Sequence, residues 1–187
     1  MRSVHVTVRV HGIDAAAAYE RVGAFGRYPE LSEVIRSVTS RRVSDREEVS
    51  DWEVHFRNGI LSWSETDLFD RASLTIGFEQ IDGDFAEFSG AWRLTQDGPD
   101  CLVAFDAEFD FGIPSLAGIL DPVAERVLKE TIARVVISLF GGDAAVAGDE
   151  AVARAVAGAS APAGTATAGA ATPLSAAASS VAGAGPR

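Results

Sequence analysis

Between residues 34 and 111 the chain repeats one device six times: a stretch in which apolar and polar side chains alternate, closed by a short punctuation. Alternation with a period of two marks a strand with one buried face. The stretches cover about 34–44, 48–58, 60–70, 73–82, 85–96 and 100–111, separated by Ser44-Asp45, Asn58-Gly59, Asp70-Arg71, Asp82-Gly83 and Asp97-Gly98-Pro99. Asn-Gly and Asp-Gly are strong hairpin signals, because both central positions of such a turn need positive φ. The sheet is therefore expected to be antiparallel and sequentially connected.

The flanks supply its other elements. Val4, Val6, Val8 and Val10 alternate with His5, Thr7, Arg9 and His11 in a first strand that Gly12 ends. Asp14 then caps an alanine-rich helix carrying Tyr19, Val22 and Phe25, and Tyr28-Pro29-Glu30-Leu31 opens a second helical turn. After Phe111, Gly112-Ile113-Pro114 breaks the ladder and Ser115 caps a turn through Leu120. Asp121-Pro122 gives a second cap, followed by a helix with one stripe at Val123, Val127, Thr131, Arg134 or Val135, and Ser138. Leu128, Ile132, Val136 and Leu139 widen that stripe, and only the sheet is large enough to bury it.

With 187 residues, 47% of them hydrophobic, the chain can bury one ordinary core. Beyond Gly141-Gly142 the composition turns to Ala, Gly, Ser, Thr and Pro without aromatics. Residues 1–142 are expected to form the folded domain and 143–187 a disordered tail, with alanine supporting some helix around Asp149 to Val156. A formal net charge of −11 argues against nucleic acid and anionic membranes as partners. Arg36, Arg41, Arg42 and Arg46, the one basic concentration, read as a solvated sheet face. A single cysteine, Cys101, a strand-like N-terminus and no apolar stretch near membrane length predict a cytoplasmic protein.

One strand breaks the usual allocation of charge. Leu61, Trp63, Glu65, Asp67 and Phe69 share a face, alternating with Ser62, Ser64, Thr66 and Leu68, so two carboxylates stand on the aromatic side. A carboxylate facing an apolar interior costs several kcal/mol unless it is paired, hydrogen-bonded, protonated or wetted. Glu65 and Asp67 therefore read as the lining of a pocket, roughly 7 Å apart along the strand. An ion pair or hydrogen-bond cluster with Arg93, Arg57 or backbone amides is the alternative.

A strand, a helical excursion, a six-strand meander and a long last helix resemble the α+β helix-grip fold of the START-like (SRPBCC, Bet v 1-like) superfamily over residues 3–140. There an antiparallel sheet of six or seven strands wraps the C-terminal helix and leaves a hydrophobic cavity. Tyr28-Pro29-Glu30-Leu31, Leu61-Ser62-Trp63-Ser64-Glu65 and Gly83-Asp84-Phe85 through Trp92 are similar to segments of its polyketide cyclase and aromatase branch, a relative of coenzyme Q-binding and lipid-transport proteins. That branch usually carries an arginine on this strand, at the position of Asp67 here, and an anion cannot stabilise a developing enolate.

The resemblance implies a cofactor-independent cyclase or dehydratase of secondary metabolism, acting on a hydrophobic polyketide-derived molecule that an acyl carrier protein could present. Glu65 and Asp67 would be its acid and base, one removing a proton α to a ketone while the other protonates a carbonyl oxygen or departing hydroxyl. Among inward-facing strand positions, Trp52, Phe56, Trp63, Phe78, Phe88, Trp92 and Phe105 would line the substrate cavity, and Tyr28 would close its mouth or present a hydroxyl to substrate, a capping aromatic of its helical turn being the alternative. The competing expectation is a non-catalytic carrier of a lipid, quinone or finished metabolite. No metal is expected: His5, His11 and His55 lie on the polar sides of their strands, and Cys101 shares an apolar face with Val103 and Phe105.

Overall fold

Valines at every second position bury one face of strand β1 (Arg2–Val10) and leave the other to His5, Thr7 and Arg9. In the computed structural model, which describes residues 1–159, the chain then turns at Gly12 and enters helix α1 (Ala15–Val22). Asp14 caps it by accepting from the amides of Ala16 and Ala17 at 2.9 and 3.2 Å. A 3-10 turn (Phe25–Arg27) and the short α2 (Tyr28–Leu31), with its early proline, complete the excursion.

The meander follows as β2 (Ile35–Arg42), β3 (Glu47–Phe56), β4 (Gly59–Asp70), β5 (Thr75–Gly83), β6 (Glu87–Asp97) and β7 (Asp100–Asp110). Each strand pairs antiparallel with the next, and β1 returns beside β7. The β3–β4 turn departs from the sequence expectation. Phe56 pairs with Gly59, so Arg57 and Asn58 are its central residues, and the positive φ of +54° falls on Arg57.

Two glycines set close approaches in the sheet. A Cβ at Gly90 would stand 2.1 Å from the Asp106 carbonyl oxygen and 2.6 Å from the Phe78 ring. At Gly83, φ is +142° and a Cβ would meet Trp63 at 2.5 Å. Both openings lie beside aromatic residues of the interior.

The two caps expected between Phe111 and Leu128 are not used: one helix, α3 (Pro114–Phe140), runs through both. Pro122 removes the N–H that would bond the Gly118 carbonyl, a loss tolerated where Gly118, Ile119 and Pro122 are exposed. Asp121 is buried instead of capping. Further along, Thr131, Ile132, Val135 and Val136 bury the predicted stripe against the sheet.

The expected boundary at residue 143 is also corrected. Ala144–Ala147 form β8, an eighth strand paired antiparallel with β1, and Glu150–Ala159 form α4. Val152 and Val156 of α4 are buried in the core, so the folded unit extends past 142. The rest of the expected tail, 160–187, lies outside the described residues.

Candidate active site

Register dictates what meets inside the sheet. Antiparallel pairing sets Trp52 opposite Trp63, Ser50 opposite Glu65 and Glu48 opposite Asp67, all on the face turned to the interior. The two indoles stack with centroids 5.8 Å apart and planes within 1°. They form part of the wall of a cavity of about 90 Å³ between sheet and α3.

All eight aromatics expected in that wall are there. Trp52, Phe56 and Trp63 come from β3 and β4; Phe78, Phe88, Trp92 and Phe105 come from β5 to β7; Tyr28 reaches in from α2. Tyr28 offers the cavity its ring, not its hydroxyl, which donates to the Val22 carbonyl at 2.6 Å. Phe85 and the α3 residues Val127 and Thr131 also line it and were not foreseen as site residues. Phe85 could have been found from the Gly83-Asp84-Phe85 segment. The α3 face carried a burial signal but none that distinguished cavity wall from packed core.

Glu65 is the one acidic or basic side chain lining this cavity among the described residues. It is only 4% exposed, and its Oε2 accepts from Trp63 Nε1 at 2.7 Å. Asp67 does not line the cavity. Fully buried one pleat further on, it accepts at Oδ2 from Ser50 Oγ at 2.6 Å, while Ser50 accepts from Trp52 Nε1 at 2.8 Å. Two indole N–H groups and a hydroxyl thus feed a pair of adjacent carboxyls.

Among the described residues, no arginine neutralises that pair. Arg93 reaches Asp106 at 2.6 Å on the other face of the sheet, and Arg57 is exposed in its turn. Burial first, and then the charge of Asp67, pushes Glu65 well above the usual carboxylate range. Burial also raises Asp67, to about 7, with Ser50 opposing and Glu48 adding to the rise. If both were ionised, Asp67 Oδ1 would be a buried acceptor without a donor. A proton retained on Glu65 and donated to Asp67 removes that cost, which agrees with their hydrogen bond raising the first group and lowering the second. Gln80, across from Glu65, holds a second such acceptor in Oε1, its Nε2 being spent on the Phe85 carbonyl at 2.8 Å.

The remaining polar candidates lie elsewhere. His5 Nδ1 contacts Asp106 at 2.5 Å and His11 Nδ1 contacts Asp100 at 3.0 Å, both at the surface, and His55 is exposed. Cys101 is fully buried, with its thiol raised by burial. Among the described residues no group of three or more His, Cys, Asp or Glu could hold a metal ion, and no helix is long and apolar enough to cross a membrane.

Residues 12–136, more than half of the chain, match the family described as polyketide cyclase / dehydrase and lipid transport. Solved structures share the fold at low identity. TTHA0849 from Thermus thermophilus is 17% identical, with a TM-score of 0.68 over 74% of this chain and 94% of that one. The Zhui aromatase/cyclase from Streptomyces sp. R1128 is 18% identical, with 0.64 over 75% and 92%. A START superfamily protein from Mycobacterium smegmatis is 18% identical, with 0.61 over 75% and 96%. No curated protein matches.

Proposed function

The chain belongs to the polyketide cyclase / dehydrase and lipid transport family, and from that premise we propose that it holds a hydrophobic, carbonyl-bearing molecule in the cavity and promotes its cyclisation or dehydration through Glu65. The observation that carries this reading is one buried carboxyl, the one charged-type side chain in a mainly aromatic and aliphatic wall, backed by a second buried carboxyl two residues along the same strand face. Asp67 has no access to the ligand, so the two do not divide acid and base roles across a substrate. Glu65 acts alone on it.

A single carboxyl suffices when the pair carries one proton. Transfer of that proton along the hydrogen bond from Glu65 to Asp67 leaves Glu65 ionised, and it then removes a proton from the carbon α to a ketone, breaking the C–H bond. In a dehydration, Glu65 returns it to the β-hydroxyl, the C–O bond breaks, a C=C bond forms and water leaves. In an aldol closure the same proton goes to the carbonyl oxygen under attack as the C–C bond forms. Either way Glu65 ends as it began, and Asp67 sets how readily it exists in both forms.

Size bears on the substrate. A volume of about 90 Å³ is well below the roughly 300–1,000 Å³ of drug-sized ligand pockets. A molecule of several rings therefore requires the wall to move outward. The first two turns of α3 are the segment with least to lose, since Leu116 and Ile119 are exposed already.

Carrier function has one observation in its favour: a lone acid in an apolar wall could simply orient a ligand's polar end. Glu65→Gln separates the readings. Incubated with a β-hydroxyketone, the variant should lose conversion while binding the compound as wild type does. Equal conversion by both proteins overturns the catalytic reading, and a ligand extracted from purified protein would then establish the carrier.

A further inference from the structure

Asp67 divides two spaces that one strand face connects. Along β4, Trp63 and Glu65 border the aromatic cavity and Phe69 borders a separate cleft of about 210 Å³ beneath α1, with Asp67 between them in neither. On β3 the sequence is the same: Trp52 borders the cavity, Ser50 is buried, and Glu48 borders the cleft. The cleft is polar, lined by Glu20, Arg42, Ser44, Asp45 and Arg71 as well as Glu48.

We propose that Asp67 and Glu48 form a proton conduit that connects Glu65, inside the cavity, to solvent in the cleft beneath α1. The inference rests on the proposed role of Glu65 and gives it a supply line. Among the described residues, Ser50, Tyr28, Glu65 and Glu48 are the polar groups that interact with Asp67. Ser50 already donates to it and is itself held by Trp52, so that branch ends at an indole that does not release its proton. Tyr28 is buried, with its hydroxyl committed to Val22. Glu65 leads inward. Glu48, directly across the strand pair, leads outward.

Facing residues of an antiparallel pair have Cβ atoms about 4.5–5.5 Å apart, within reach for two carboxyls directly or through one water. Glu48 is partly exposed and pairs with Arg42 at 3.6 Å, loosely enough to release that contact. Asp67 Oδ1 meets no N–H or hydroxyl donor, so its two lone pairs are free for the proton shared with Glu65 and for one arriving from Glu48. The transfer is a proton relay without redox change: Glu48 takes a proton from solvent, passes it to Asp67, and Asp67 passes one to Glu65. The back door matters when a ligand fills the cavity, because the route past the aromatic wall is then closed.

A pH jump on the full-length protein, followed by tryptophan fluorescence, reads this without any turnover. Trp63 donates to Glu65 and Trp52 to Ser50, so the stacked indoles report protonation of the pair. Glu48→Gln should slow the relaxation about tenfold or more, with a midpoint moved only as far as the loss of one neighbouring charge requires. Glu48→Asp, which keeps a titratable group, should restore most of the rate. An unchanged rate in Glu48→Gln, or equal slowing in both variants, overturns the conduit, as does a wild-type protein whose fluorescence does not titrate. Because no substrate is involved, the conduit can fail while Glu65 remains catalytic, and Glu65→Gln can retain conversion while the relaxation still slows in Glu48→Gln.

Discussion

Ser50 and Asp67, seventeen residues apart on neighbouring strands, are joined by a 2.6 Å hydrogen bond in which the serine hydroxyl donates to Oδ2 in a site closed to solvent. The bond is one of two influences that hold Asp67 down against burial, the other being Glu65. Ser50→Ala should therefore raise Asp67 further and leave Trp52 Nε1 without its acceptor. Removing a hydrogen bond to a charged group and stranding a buried donor costs about 1.5–3 kcal/mol. Urea unfolding at neutral pH checks the loss.

The carboxyl pair sets the sign of one pH dependence. Both groups have folded-state values above the unfolded ones, so between about pH 4 and about pH 7 the native state binds more protons than the unfolded chain. Their contribution is complete below the unfolded values and is lost as pH rises through the folded ones, for Asp67 near 7 and for Glu65 beyond the usual carboxylate range. Asp70, Asp100 and Asp110 are lowered and act in the opposite sense, losing their contribution only at acid pH. Asp67→Asn should accordingly flatten the fall in stability between about pH 5 and pH 8 and be more stable than wild type at the alkaline end. Thermal melts across that range would show it, and a parallel curve would count against the raised values.

Gly90 offers a test of the sheet itself. An alanine there would drive its Cβ into the Asp106 carbonyl, the Phe78 ring and the Ala107 backbone at 2.1, 2.6 and 2.8 Å. Backbone cannot withdraw as a flexible side chain can. Gly90→Ala should lose about 3 kcal/mol or fail to fold, at or beyond the upper end of ordinary overpacking. Gly98→Ala is the contrast: nothing lies within 4 Å of the added carbon, and only its φ of +60° resists.

Filling the cavity should separate binding from folding. Val127 borders it from α3 and is only half-buried. Val127→Phe adds an aromatic ring towards a space of about 90 Å³ and should abolish uptake of an apolar fluorescent dye while changing stability by less than about 2 kcal/mol. Dye titration alongside a melt would register both effects.

The meander and its inward residues were legible because period-two alternation is a local property, and the seven wall aromatics predicted on strands met across the sheet, with Tyr28 joining them from α2. Glu65 and Asp67 were legible as misplaced charges, yet alternation fixes a face and not how far the cavity extends along it. That limit is drawn by α1, whose cleft begins on the far side of Asp67. Arg57 took the positive φ expected of Asn58-Gly59 because pairing of Phe56 with Gly59 moved the turn by one residue. The strand Ala144–Ala147 carried too little bulky surface to read as one, and it exists because β1 offered an open edge. Glu48 and Ser50 lay in the same alternation as Trp52 and could have been included with it.

Glu65, raised by burial beside Asp67 in an apolar wall, is expected to keep a proton at neutral pH. Infrared spectroscopy of the carboxyl stretch, comparing wild type with Glu65→Gln at neutral pH, reads that proton without any turnover. A carboxylic acid band should be present in wild type, shift on transfer to heavy water, and vanish in Glu65→Gln. A wild-type spectrum with carboxylate bands alone at that pH would mean that Glu65 is ionised and that the cavity wall holds no acid.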